Sequence, residues 1–130
     1  MKKISYLIYK IIFIIDLILK KITKKSFLIY FKDFFESDAY EEIFISDKKT
    51  KFFVPNDIVK WRVDSFYTKE PETLEWIDNF SSENEIIFWD IGANIGLYSI
   101  YAAQKYDNIK IFAFEPSSSN LRILSRNISQ

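Results

Sequence analysis

Two glycines, Gly92 and Gly96, are all that the chain contains, and they stand within one five-residue stretch. Around them, residues 86–100 read I-I-F-W-D-I-G-A-N-I-G-L-Y-S-I. An apolar run ends in a carboxylate, turns through G-A-N-I-G, and resumes as a helix-like pattern. Spending both glycines in one turn implies a backbone that tolerates no Cβ there, either to bend sharply or to let a ligand touch the main chain. The run at 85–89 predicts a buried strand and the residues from Leu97 predict a helix. Strand, glycine turn and helix together form the opening unit of a nucleotide-binding α/β sheet, with the helix N-terminus toward the ligand.

With 130 residues the chain has room for one small domain. Its 48% apolar and 18% aromatic content supports a packed core rather than disorder. Eighteen basic and eighteen acidic residues cancel, so no overall field favours nucleic acid as a partner. Cysteine and histidine are both absent. Their absence argues against a disulfide framework, a thiolate nucleophile, a zinc site and a histidine-dependent triad, and no metal is expected. Binding must fall to backbone, carboxylates, hydroxyls and aromatics.

Three segments are expected along the chain. Residues 1–25 carry seven lysines against one aspartate, and residues 4–19 are apolar except for Ser5, Lys10 and Asp16. The run is short for a membrane span and contains two charges, and no small-residue cleavage site follows it. A helix packed on the domain or a partner is the first reading, and peripheral membrane contact through residues 4–25 is the second. Residues 26–66 form an N-terminal cover: an aromatic stretch at 26–35, a hairpin at 43–54 with a loop of about four residues at 47–50, and a helix at 58–66 begun by Asn56 and Asp57. Residues 67–130 hold the α/β part. A helix is predicted at 67–80 with Pro71 in its first turn, then the strand and glycine turn, a helix at 97–106, a second strand at 109–114, and a last helix capped by the serines at 117–119. Trp89, Tyr98 and Phe114 are expected in the core.

The chemistry centres on two acids. Asp90 closes the first strand and Glu115 closes the second, 25 positions later. A parallel β-α-β unit brings both to the carboxyl edge of the sheet, where such folds bind ligands. An acid at the second strand tip accepts hydrogen bonds from a ribose diol. The dinucleotide fingerprint requires glycine at the middle of the turn, where this chain has Asn94, and Asp90 would repel a pyrophosphate. A cationic nucleoside without phosphate, such as S-adenosylmethionine, suits the turn better than NAD.

The segments W-D-I-G-A-N-I-G-L-Y-S-I-Y-A-A and I-F-A-F-E-P-S-S-S-N-L-R-I-L-S-R-N-I resemble the FkbM-type S-adenosylmethionine-dependent methyltransferases. K-E-P-E-T-L-E-W-I-D at residues 69–78 is similar to the helix that precedes this motif in a subgroup of that family. The resemblance covers residues 62–128. It implies a Rossmann-like class I methyltransferase fold and O-methylation of a small molecule or glycan, often a sugar or other secondary-metabolite hydroxyl. On that match Asp90, Gly92, Ala93, Asn94 and Gly96 form the first cofactor motif, and Glu115 with Pro116 forms the second. Only the first β-α-β-α unit of such a fold is present, preceded by a helical and hairpin extension. The expectation is therefore a cofactor-binding half, inactive alone, cytoplasmic or membrane-associated, and completed by a complementing C-terminal polypeptide. No residue presents itself as the general base. A non-catalytic docking module and an NAD-binding oxidoreductase fragment are the alternatives.

Overall fold

A computed structural model describes residues 1–130. The chain divides into two compact units, Met1–Asp38 and Ala39–Gln130.

The first unit is two helices, α1 (Lys2–Thr23) and α2 (Leu28–Asp38). Lys24 ends α1 in the left-handed region at φ 60°, its N–H returning to the Lys20 carbonyl. Asp16, the one acid of α1, is buried. Its carboxylate accepts from the Ser26 hydroxyl (2.9 Å) and from the N–H groups of Phe27 (2.8 Å) and Leu28 (3.3 Å). Those amides belong to the start of α2, where unpaired donors and the helix dipole both favour a negative charge. Burial opposes the charge on Asp16, but these donors outweigh it and hold the carboxyl below its usual range. The charge that interrupts the apolar run is thus consumed in joining the two helices.

The second unit opens with an antiparallel hairpin, β1 (Tyr40–Ile45) and β2 (Lys48–Phe53). Its loop is two residues, not the four expected. Ser46 and Asp47 have φ of 46° and 64°, the pair of positive values that a type I′ turn requires. The polar stretch read as loop is strand, because Lys49 and Lys51 lie on the solvent side and pair with Glu42. Helices α3 (Asp57–Asp64), α4 (Phe66–Lys69) and α5 (Pro71–Asp78) follow. Asn56 caps α3 by accepting from the N–H groups of Ile58 and Val59. The single helix expected at 67–80 is instead divided at Glu70. That residue is driven out of helical conformation (φ −140°, ψ 63°) by the ring of the following proline, and Pro71 begins α5.

Strands β3 (Ile86–Ile91) and β4 (Ile109–Phe114) pair in parallel, joined through α6 (Leu97–Lys105), and α7 (Ser118–Ile128) follows β4. The whole is α/β, with seven helices and two small sheets, and is compatible with part of a Rossmann-like fold. Phe88 and Asp90 are buried on the inner face of the parallel pair. On the other face Ile87, Trp89, Ile91, Phe112 and Phe114 are exposed. Trp89 at 60% and Phe114 at 47% exposure are therefore not core residues, contrary to expectation, while Tyr98 is half-buried. The core is built by Phe52 and Phe53 of the hairpin, Val59 and Val63 of α3, Ile77 of α5, Phe88, Ile95 and Ala102.

Candidate site at the glycine turn

The turn between β3 and α6 is shaped by three left-handed residues in five positions: Gly92 (φ 85°), Asn94 (54°) and Gly96 (89°). The N–H groups of Gly92 and Ala93 both donate to the Phe114 carbonyl (2.8 and 2.9 Å), which folds the turn across the tip of β4. The Gly96 N–H then reaches back to the Ala93 carbonyl (2.8 Å), closing the bend at the start of α6.

The two glycines do different work. A Cβ on Gly92 would meet nothing within 4 Å, so open space lies above that residue. A Cβ on Gly96 would stand 2.6 Å from Cδ1 of the buried Leu124, so Gly96 lets α7 approach the turn. Ala93 and Ile95 are buried between them.

Glu115 lies at the tip of β4 and binds two separate amides. Its Oε2 accepts from the Asn94 N–H (2.7 Å) and its Oε1 from the Ser117 N–H at the head of α7 (2.8 Å). One carboxylate thereby fixes the left-handed residue of the turn to the start of the last helix. A carboxylate has about four acceptor positions, so each oxygen retains capacity for a further donor. Pro116, beside it, is exposed. The Asn94 Oδ1 is buried and has no hydrogen-bond partner.

Asp90 departs from the expected picture of an acid opening onto the ligand. The strand continues one residue past it to Ile91, and alternation places its side chain with Phe88 on the buried face. There its Oδ2 accepts from the Ser99 hydroxyl (2.6 Å) in the first turn of α6. Burial raises the Asp90 carboxyl above its ordinary value, and the Ser99 hydrogen bonds only partly offset this. The charged form is thus disfavoured in the folded state. Stability from this group is complete below the ordinary aspartate value of 3.8 and is lost as pH rises through the higher folded value. Asp90→Asn retains an acceptor for Ser99 and removes the titration. Urea unfolding of the two proteins is expected to give a stability difference that shifts in favour of the variant as pH rises through this window and then levels off. Parallel pH profiles would show that Asp90 does not titrate differently on folding.

Beside Gly92 lies a cavity of about 160 Å³ lined by Arg62, Glu70, Gly92, Asn94, Leu97 and Tyr98, among others. Neither Asp90 nor Glu115 lines it. On its rim the Tyr98 hydroxyl donates to Glu70 Oε2 (3.0 Å), and Lys69 pairs with the other Glu70 oxygen (2.8 Å). Lys69 first, then Tyr98, hold Glu70 below its usual range; burial and the nearby Glu70 hold the Tyr98 hydroxyl above its own. Glu70 is therefore an ionised acceptor and Tyr98 a protonated donor. Sequence reasoning missed this pair, and the available signal was Glu70 itself, an acid forced out of helix by Pro71 just ahead of the turn. A larger cleft, about 960 Å³, lies between β2, α6, β4 and α7. It is lined by aliphatic side chains such as Ile100, Ile111, Leu121 and Ile128 together with polar ones such as Glu42, Lys51 and Gln104, and none of the seven residues expected to bind a cofactor faces it.

Over 40 residues the chain is 52% identical to the methyltransferase sdnD of Sordaria araneosa. The match takes in 31% of this chain and 15% of that protein's length. No protein-family model matches the chain. No solved structure matches it either. The likeness is thus to a methyltransferase, over a limited stretch.

Proposed function

We propose that the unit Ala39–Gln130 is the cofactor-binding part of an S-adenosylmethionine-dependent methyltransferase of the FkbM type, acting on a hydroxyl of a small molecule or glycan. The observation that carries this reading is Glu115, held at the tip of β4 against the Asn94 amide with acceptor capacity to spare. A ribose diol satisfies that capacity. The open space over Gly92 admits a ligand close to the backbone, and the unpartnered Asn94 Oδ1 suits an N–H donor such as an amine. In this reading Gly92, Ala93 and Asn94 supply the wall of the site, and Pro116 directs the chain away from it. Gly96 acts through the shape of the turn. Asp90 is a positioning residue: it ties β3 to α6 through Ser99 and sets where the turn sits.

Bound S-adenosylmethionine supplies an electrophilic methyl group for in-line displacement. This chain's residues orient the ligand, which is the main protein contribution to such a transfer. Glu70 and Tyr98 on the rim supply a hydrogen-bond acceptor and a donor, and the Glu70 charge is offset by its ion pair with Lys69. In this reading the methyl acceptor and the general base are contributed by a complementing C-terminal polypeptide.

Isothermal titration of the chain with S-adenosylmethionine and with NAD tests this. S-adenosylmethionine is expected to bind more tightly, and Glu115→Ala to weaken it by about 10- to 100-fold, the loss of hydrogen bonds to a charged group. Circular dichroism establishes that the variant is folded. Tighter binding of NAD, or no heat with S-adenosylmethionine, would overturn the assignment.

A further inference from the structure

We propose that the first unit, residues 1–38, docks on an anionic lipid surface, through an isoleucine ridge on α1 and a row of lysines beside it. The proposal is independent of the cofactor reading, which concerns the other unit.

The 22 residues of α1 extend about 33 Å. Ile4, Ile8, Ile11, Ile15, Ile18 and Ile22 recur at alternating spacings of four and three, so all six fall on one side of the helix. All six are exposed, the least of them by 46%. Leu7 and Ile14 on one flank and Leu19 on the other are exposed too. The ridge is thus a broad aliphatic arc along the whole helix that α2 leaves uncovered.

Lys3, Lys10 and Lys21 are separated by seven and eleven residues, two and three turns, and so form a single row at the border of this arc. Lys10 lies over the rings of Tyr6 (5.4 Å) and Phe13 (5.9 Å). Long cationic side chains beside aromatics are what an interfacial helix presents at headgroup level. Residues 1–25 hold seven lysines against Asp16 alone, and Asp16 is buried in its bonds to the start of α2. The surface this segment shows is therefore positive and apolar, the complement of an anionic bilayer.

Two other occupants are less well matched. No helix is long and apolar enough to cross a membrane. A second copy of the chain could use the isoleucine seam as a coiled coil. However, of the flanking positions that carry register-setting charges in coiled coils, Leu7, Ile12, Ile14 and Leu19 are apolar, Ser5 is uncharged and only Lys21 is charged. The apolar arc is wider than the narrow seam such pairing buries.

Flotation of the full chain with vesicles of phosphatidylcholine, with and without phosphatidylserine, tests the proposal. Binding is expected to the phosphatidylserine vesicles and to fall with added salt. Lys3→Gln/Lys10→Gln/Lys21→Gln changes only exposed side-chain tips and is expected to weaken binding about a hundredfold, the product of about fivefold for each lysine. Ile11→Glu/Ile15→Glu is expected to abolish it while helix content, read by circular dichroism, is retained. Absence of flotation, or equal flotation on both vesicle types, would overturn the proposal. So would a lipid-free oligomer in sedimentation that Ile11→Glu/Ile15→Glu dissolves while the lysine variant floats as well as the wild type.

Discussion

Asn127→Leu is expected to lower the unfolding free energy of the Ala39–Gln130 unit by about 3 kcal/mol. Asn127 is buried in α7 and uses both ends of its amide. Its Oδ1 accepts from the Phe53 N–H in β2 (2.8 Å), and its Nδ2 donates to the Ile95 carbonyl in the glycine turn (2.8 Å). Phe53 and Ile95 are themselves fully buried, at 0% and 1% exposure, so water cannot replace either bond. Leucine has nearly the same size but leaves one donor and one acceptor orphaned, each at about 1–3 kcal/mol. Against a typical total of about 5–15 kcal/mol, that is a large fraction. Urea denaturation followed by far-ultraviolet circular dichroism measures it. A change under about 1 kcal/mol would mean that the hairpin and the turn are not held together by this side chain.

The second large effect separates the two glycines. Gly96→Ala is expected to cost about 3 kcal/mol and Gly92→Ala about 1–2 kcal/mol. Both substitutions place a Cβ on a residue with positive φ, and that strain is common to them. Only at Gly96 does the new atom also meet a neighbour, Leu124 Cδ1 at 2.6 Å. Leu124 Cδ1 must shift to admit the new atom, and crowding a packed side chain costs about 1–3 kcal/mol more. Adding Leu124→Ala should therefore bring the cost of Gly96→Ala down toward that of Gly92→Ala, and leave Gly92→Ala itself unchanged. A double-mutant cycle by urea denaturation reads this coupling directly. Zero coupling between positions 96 and 124 would place the strain entirely in the backbone.

Much of the α/β part was legible because its signals are local. The scarcity of glycine isolates the turn, the continuous run I-K-I-F-A-F marks β4 at Ile109–Phe114, and Ser117 heads α7 where a capping hydroxyl was expected. What was not legible depends on which side of an element is covered. An apolar strand reads as buried on both faces, yet the face with Trp89 and Phe114 is open, and only the inner face with Phe88 is packed. The lysines of β2 read as loop because alternation fails when a strand sends charge to solvent at nearly every position, and only the partnership with Glu42 reveals it. Asp90 was expected to face a ligand because a parallel β-α-β unit brings its strand end to the carboxyl edge of the sheet. Alternation along β3 instead puts it on the inner face with Phe88. Asn127 gave no signal at all, since its two partners lie 74 and 32 positions away. Of the site, the residues of the turn and Glu115 were readable from spacing, whereas the rim pair Glu70 and Tyr98 depends on a contact across 28 positions.

Glu115 grips the Asn94 amide and the Ser117 amide with the same carboxylate. It therefore acts as a hinge pin shared by the loop and the final helix, and affinity and rigidity there cannot be varied separately. Whatever occupies the remaining lone pairs of that carboxylate also steadies the first turn of α7. By thermodynamic reciprocity, anything that frays that turn weakens the hold on the occupant by the same free energy. Substitutions well outside the site, at the opening of α7, can in this way masquerade as losses of recognition.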